Sequence, residues 1–288
     1  MADQEHAHDP GDRPGQQRVD PLPADRDDDP ARTEEKDRAL DRAVLEGRPR
    51  LHRSTPDLLA TGTVAGIEVA FGVLALLAVE HATGSRLLGA LAFSIGFIAL
   101  RLGHSELFTE GFHVPVMVVA AGEGTVRGLL RLWLGTLVGN LAGGWVVAWL
   151  VASGLPSLHG VAAEAAAEFV DVPLDLRTFV LAVLAGAAIT LLTRMQQGTD
   201  DDVARIVAAV GIAFVIVGTG LLHSVLDTIV FFVAVHAGTA TVTSATWLPW
   251  FGFVVVGNVA GGLLLTTLLR AVRSRERLMQ WRAATDRG

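Results

Sequence analysis

The chain has 288 residues, of which 51% are hydrophobic, 18% charged and 6% aromatic, with 31 Gly and no Cys. The charges crowd at the two ends, so the middle is too apolar for an ordinary water-soluble domain, and the composition is that of a membrane protein with soluble tails. The lack of Cys excludes disulfides and thiolate metal sites, and a formal net charge of −7 without a basic stripe argues against a nucleic-acid partner.

Residues 1–55 are rich in Asp, Glu, Arg and Pro and too polar to offset the entropy of ordering themselves. They are expected to be a disordered, charged cytoplasmic arm with an inert solubilising role, holding at most a short charged surface helix over Glu34 to Glu46. The first residues lack a basic region followed by an apolar one, so no signal peptide is expected. After Pro56, apolar spans near the ~20 residues that cross a bilayer follow one another. Six are predicted: Leu58 to Val79, Leu87 to Ala120 (interrupted), Leu129 to Ala152, Thr178 to Met195, Val203 to Val235 (interrupted) and Leu248 to Val272. They make residues 56–273 a transmembrane domain, and 274–288 a cytoplasmic tail. Arg127, Arg131, Arg194 and Arg205 follow even-numbered spans, as do Arg270, Arg273, Arg275 and Arg277, whereas the linker between spans three and four carries Glu164, Glu168, Asp171 and Asp175 against Arg177. By the positive-inside rule that linker is external, and both termini of this multi-pass plasma-membrane protein are cytoplasmic.

Two motifs recur at nearly one offset. His104-Ser105-Glu106-Leu107 returns 119 residues on as His223-Ser224-Val225-Leu226, and Gly139-Asn140-Leu141-Ala142-Gly143-Gly144 returns 118 residues on as Gly257-Asn258-Val259-Ala260-Gly261-Gly262. The repeats cover about 58–152 and 178–272, and each holds three spans, an odd number, so the second copy crosses the bilayer in the opposite sense. The predicted fold is therefore all-α, six transmembrane helices in a 3+3 inverted repeat. Gly103 to Pro115 in the second span and Gly218 to Asp227 in the fifth place polar and helix-breaking residues at bilayer depth. Broken backbone is tolerated there only where protein buries it or a cavity hydrates it, so the two breaks are expected to face each other across a central pathway.

Candidate residues cluster at these breaks. His223 is either a pathway group, able to attract an anion or lend it a proton, or a neutral core histidine bonded to a backbone carbonyl. Asp227, four residues on, could bond or orient the ring, and Glu68 in the first span either faces the pathway, protonated or paired, or joins two helices as a neutral acid. Arg101 could pair with Glu106 or Glu110, a structural ion pair being the reading for Glu106. Leu107 and Phe108 offer an apolar constriction or ordinary packing, and Thr109 a hydroxyl for a passing ion. Asn140 and Asn258 could cap the ends of the broken helices. Glycines at 62 and 66, at 135, 139 and 143, and at 257 and 261 recur every four residues, the spacing that lets helices approach closely.

Taken together, Glu106-Leu107-Phe108-Thr109 in a broken second span, His223-Ser224 in a broken fifth and the paired Gly-Asn-x-x-Gly-Gly stretches resemble the formate/nitrite transporter (FNT) family, from Leu58 to about Arg270. The resemblance implies an aquaporin-like fold assembled as a homopentamer with one pore per protomer, moving small monovalent anions such as formate or nitrite, often with a proton. It further implies that His223 is the central pore histidine, that Thr109 is the threonine of the loop in the second helix, that Leu107 and Phe108 form a hydrophobic constriction, and that Asn140 and Asn258 are the asparagines of the third and sixth helices. The chain departs from the family pattern at Asp227, where Asn is common, and at Glu110, Glu68 and His113; its only Lys is Lys36, so the outer vestibule's usual lysine has no counterpart unless Arg177 supplies the charge. These departures point to a divergent branch.

The expected function is thus a channel or transporter for small weak-acid anions, not an enzyme, with no cofactor and with lipid, anion and proton as its partners. Two alternatives stay open: a membrane-embedded metal protein or hydrolase using His104, Glu106, His113, His223 and Asp227, and a pore for small neutral solutes. The first lacks the His-x-x-x-His spacing of a one-face ligand pair, the second the Asn-Pro-Ala motifs of an aquaporin.

Overall fold

The structure, a computed structural model, describes residues 30–170, 172–239 and 243–285. Residues 1–29 of the expected arm, Asp171 of the linker and the last three residues of the tail lie outside the described residues. In chain order the helices are α1 (Pro30–His52), α2 (Thr55–Thr83), α3 (Arg86–Gly103), a short tight helix (Phe108–Phe112), α4 (Val114–Ala120), α5 (Val126–Gly154), α6 (His159–Val170), α7 (Leu176–Gln197), α8 (Asp202–Gly218), α9 (Ser224–His236), α10 (Ser244–Ala260), a π-helix (Gly261–Leu268), α11 (Leu269–Arg273) and α12 (Arg275–Thr285). No strand occurs among the described residues. Among the described residues five stretches are long and apolar enough to cross a membrane: α2, α3, α5, α7 and the continuous run Ser244–Arg273. The predicted fifth span is divided between α8, of 17 residues, and α9, of 13.

Side-chain caps set where these helices start. Ser54 accepts from the Asp57 N–H before α2, Thr125 from Gly128 before α5, and Asp175 from Thr178 before α7, each satisfying a backbone donor that the first turn leaves open. Helix α2 stops at Gly84, at φ 65°, whereas α3 stops at His104, whose φ of 53° makes it the one non-glycine in the left-handed region among the described residues.

Glycines then decide how closely the spans pack. A Cβ built on Gly66 of α2 would lie 2.0 Å from the Asn140 carbonyl oxygen of α5, and one on Gly143 of α5 would lie 2.1 Å from the Thr63 oxygen of α2. The same contact recurs between α7 and the α10 run, where Gly186 would meet the Asn258 oxygen at 1.9 Å and Gly261 the Val183 oxygen at 1.8 Å. At such distances two backbones touch with no room for a side chain, which is what the four-residue spacing of Gly62/Gly66 and Gly139/Gly143 is for.

Two segments differ from the sequence reading. Residues 30–52, taken as part of a disordered arm, form the single helix α1, because Leu40, Ala43, Val44, Gly47 and Leu51 recur at helical spacing and are buried against α4 and α5. Average composition hides that stripe beneath the surrounding charges. The acidic linker after the third span contains α6, which buries Ala162, Ala165, Ala166, Phe169 and Val170 against α9 and leaves Glu164 and Glu168 on its outer side.

Candidate functional site

The site is built where the two interrupted helices meet. After α3 the chain leaves helical geometry at His104 and resumes it at Phe108; after α8 it turns at Gly220, at φ 68°, and resumes at Ser224. Two asparagines hold these restarts in the same way. Asn140 Oδ1 accepts from the Phe108 N–H at 2.8 Å, while its amide donates to the carbonyls of Gly62 at 2.9 Å and Glu106 at 3.0 Å. Asn258 Oδ1 accepts from the Ser224 N–H at 3.0 Å, and its amide donates to Ala182 at 2.8 Å and Leu222 at 2.9 Å. Each side chain spends its oxygen and both its hydrogens on backbone groups, so neither is left to contact a solute.

Between the restarts Thr109 Oγ1 lies 3.0 Å from His223 Nε2, and both residues are fully buried. The other ring nitrogen, Nδ1, accepts from the Leu226 N–H at 3.1 Å and so caps α9. An acceptor at Nδ1 puts the hydrogen of the neutral ring on Nε2, which then donates to Thr109 Oγ1 and leaves the threonine's own hydrogen available. Ser224 Oγ, beside the ring, is buried with no hydrogen-bond partner among the described residues. Leu107 and Phe108 are buried on the same segment as Thr109; the Phe108 ring meets Phe112 edge-on at 5.0 Å, and Phe112 meets Trp133 at 5.4 Å.

The acids stand differently from their predicted places. Asp227 bonds the His223 backbone, its Oδ2 accepting from the N–H at 2.9 Å, and not the ring; one helical turn returns its carboxylate to the N-terminus of α9, where the open backbone donor lies. Glu106 is paired by Arg50 at 3.3 Å and Arg53 at 3.0 Å and not by Arg101, because α1 brings these arginines over the break. Glu110 accepts from the Leu107 N–H at 3.5 Å and faces the cavity beside Arg50. Glu68 accepts from the Ser105 hydroxyl and lies against Gly103, where a Cβ would meet its Oε1 at 2.3 Å; it braces the end of α3 and is not in contact with His223.

Two cavities approach from opposite ends of α3 and α7. One, of about 230 Å3, is lined by Arg50, Arg53, Arg101, Ser105, Glu106 and Glu110. The other, of about 410 Å3, is lined by Arg86, Arg177, Glu168, Gly220 and Leu222 and so reaches the residue before His223. Arg177 was singled out in the sequence. Arg86 was not, although it opens α3: its Nε donates to the Val217 carbonyl at 3.3 Å, its guanidinium pairs with Glu168 and it stacks 5.1 Å over the Phe169 ring. Only the packing of α6 and α8 around α3 brings those partners to it, so no local signal marks it. Among the described residues no three His, Asp or Glu side chains converge as metal ligands: Glu106 is paired with arginines, Asp227 with a backbone N–H, and His113 and His223 with threonine hydroxyls.

Comparison with known proteins gives concordant results. The chain is 25% identical over 254 residues to "Inner membrane protein YfdC" of Escherichia coli, covering 84% of this chain and 80% of that one, and 25% identical over 266 residues to "Uncharacterized transporter YrhG" of Bacillus subtilis, covering 85% and 97%. Its fold resembles that of a solved "FNT family ion channel", with a TM-score of 0.69 at 20% identity over 80% of this chain and 96% of the other. It also resembles a "Pentameric formate channel with formate bound", with a TM-score of 0.59 at 19% identity over 73% and 94%. The family model described as Formate/nitrite transporter matches residues 37–272, most of the length, and the chain belongs to that family.

Proposed function

We propose that this protein is a plasma-membrane channel for small monovalent weak-acid anions of the formate or nitrite kind, passing between the two cavities by way of Thr109 and His223. The reading takes the six spans as a 3+3 inverted repeat. The second is α3 continued by the Phe108–Phe112 helix and α4, and the fifth is α8 continued by α9. Support comes from the matched bonds of Asn140 and Asn258 and from the matched glycine contacts, which repeat one arrangement in each half. By analogy with its pentameric structural neighbour the protein assembles as a homopentamer. The packing of α12 on α1 supports the reading that both ends lie on one side, taken as the cytoplasmic side from the arginine distribution.

One observation carries the assignment: a buried imidazole N–H and a buried hydroxyl meet at 3.0 Å, with an arginine-lined cavity to either side. At the second mouth Arg86 and Arg177 outnumber Glu168 and raise the local concentration of anions, whereas at the first Arg50, Arg53 and Arg101 are balanced by Glu46, Glu106 and Glu110. At the centre, neutral donors replace part of the solute's water, an interaction strong enough to admit an anion and weak enough to release it. Leu107 and Phe108 make the approach apolar, so a hydrated ion must shed water or take a proton to pass. In proteoliposomes, His223→Asn is expected to change formate and nitrite flux by about tenfold or more, the effect of removing one buried hydrogen-bonding group from a pathway. Equal flux from both proteins defeats the role of His223.

A further inference from the structure

On the α1 side of the molecule, beside the first cavity but lining neither cavity, the last turn of α7 and the first turn of α11 carry two arginines with no acid paired to either among the described residues. Arg194 lies in the last turn of α7 and is exposed; Arg270 lies in α11 and is half-buried. Neither forms an ion pair among the described residues, and Arg270 Nε is shielded from solvent with no hydrogen-bond partner. Gly262 of the π-helix lies against Thr190 of α7, and the packing of these two segments carries Arg194, four residues farther along α7, and Arg270, eight residues beyond Gly262, to the same end of the molecule as His113. His113 is itself buried: its Nδ1 donates to Thr267 at 3.2 Å, because the Thr267 hydroxyl is already given to the Phe112 carbonyl at 2.7 Å, and its Nε2 has no partner.

Two like charges and a shielded donor left unpaired are an unfavourable arrangement unless an anion completes it. The surroundings say where that anion comes from. Leu191 and Met195 flank Arg194, and Leu268, Leu269 and Val272 flank Arg270, all 42% to 65% exposed. Such a surface, at the ends of membrane-spanning helices, is set for acyl chains, and the arginines stand at its edge, where headgroups lie. Guanidinium pairs match phosphate oxygens in geometry as well as charge.

We propose that Arg194 and Arg270 form a binding site for the phosphate of an anionic phospholipid in the leaflet facing α1 and α12. Neither arginine lines the cavities of the proposed pathway, and the site does not depend on that pathway. The test uses the full chain in phosphatidylcholine nanodiscs, titrated with phosphatidylglycerol, with bound lipid counted by native mass spectrometry and unfolding followed by heat. Phosphatidylglycerol is expected to bind and raise the melting temperature. Arg194→Gln with Arg270→Gln is expected to weaken that binding by about thirty-fold, what two arginine contacts at about 1 kcal/mol each amount to, with phosphatidylcholine binding unchanged. Should the double variant fold poorly, Arg194→Gln alone, at an exposed position, is expected to give about a five-fold loss. Undiminished phosphatidylglycerol binding by the variants overturns the proposal. So does equal stabilisation by inorganic phosphate alone, which makes the site one for a free anion. Dissociation of the oligomer by the variants with lipid binding intact also overturns it, in favour of a carboxylate from a neighbouring subunit.

Discussion

Asn140 and Asn258 each tie three backbone groups to one side chain, two on an interrupted stretch and one on a neighbouring helix, and they do so at the two places where helices are interrupted. Where the surroundings are protein and hydrocarbon, no water replaces those bonds, so removing an amide leaves an N–H and two carbonyls unsatisfied at about 1–3 kcal/mol each. Asn140→Ala and Asn258→Ala are therefore expected to destabilise the fold by several kcal/mol and by similar amounts, read as parallel losses in melting temperature in detergent. Asn→Asp retains the acceptor at each site but not the donors, and is expected to recover less than half of the loss. A large effect at one position and none at the other contradicts their equivalence. The two amides were legible in the sequence as caps because each sits in a repeated Gly-Asn-x-x-Gly-Gly stretch. The use of the His223 ring was not, since the spacing from His223 to Leu226 cannot say that a ring nitrogen, and not a carboxylate, closes the first turn of α9.

At the scale of helices, steric contact between backbones decides more than side-chain burial. Adding a methyl group at Gly66 or Gly186 puts a carbon about 2 Å from a carbonyl oxygen of the facing helix, well inside contact, and a helix backbone cannot yield locally. The helix propensity gained, about 0.5–1 kcal/mol for Ala over Gly, is smaller than the overpacking cost of about 1–3 kcal/mol or more. Gly66→Ala and Gly186→Ala are expected to lower thermal stability sharply. Gly211→Ala, in α8 with nothing within 4 Å of the added carbon, is expected to be neutral or slightly stabilising in the same assay. If Gly66→Ala is as stable as Gly211→Ala, the two spans are further apart than described. Gly62 and Gly66 could be read in advance because they recur at four residues. Gly186 could not, because it has Ala182 and Thr190 in the corresponding places and so shows no pattern of its own. Helix α6 escaped for a related reason: its 12 residues are too short for a span, and its acids drew attention away from the Ala and Phe on its buried side.

Across the whole molecule, α1 and α12 are fastened to each other, and α1 also lines one mouth of the proposed pathway. Asp41 of α1 accepts from Arg277 Nε at 3.0 Å and Nη2 at 2.5 Å and from the Trp281 indole at 2.8 Å, while Leu40, Val44, Met117, Ala121 and Leu278 form a small apolar core around the junction. At the end of α1 and just beyond it, Arg50 and Arg53 reach Glu106 at the edge of the first cavity, so the junction bears on where those charges stand. The hydrogen bonds from Arg277, with a smaller contribution from Trp281, hold the Asp41 carboxyl below the usual carboxylate range of about 4, and the Arg277 guanidinium is pushed up in turn and stays charged. Because the docked carboxyl has the lower pKa, its contribution is complete above the free value and is lost as pH falls through the docked one. The chain has no Cys, so Leu45→Cys and Met279→Cys, at exposed positions on α1 and α12, give one spin-label pair per protomer, and mixing with an excess of unlabelled chain removes distances between subunits. Their distance distribution is expected to be narrow and constant from pH 7 to about 5 and to broaden below about 4 as Asp41 is protonated. Asp41→Asn keeps an acceptor but loses the charge, so its distribution is expected to be broader already at pH 7, with a much smaller step at acid pH. An equal acid step in Asp41→Asn assigns the fastening to the apolar core or to another carboxylate, and leaves Asp41 no part in holding the two ends together.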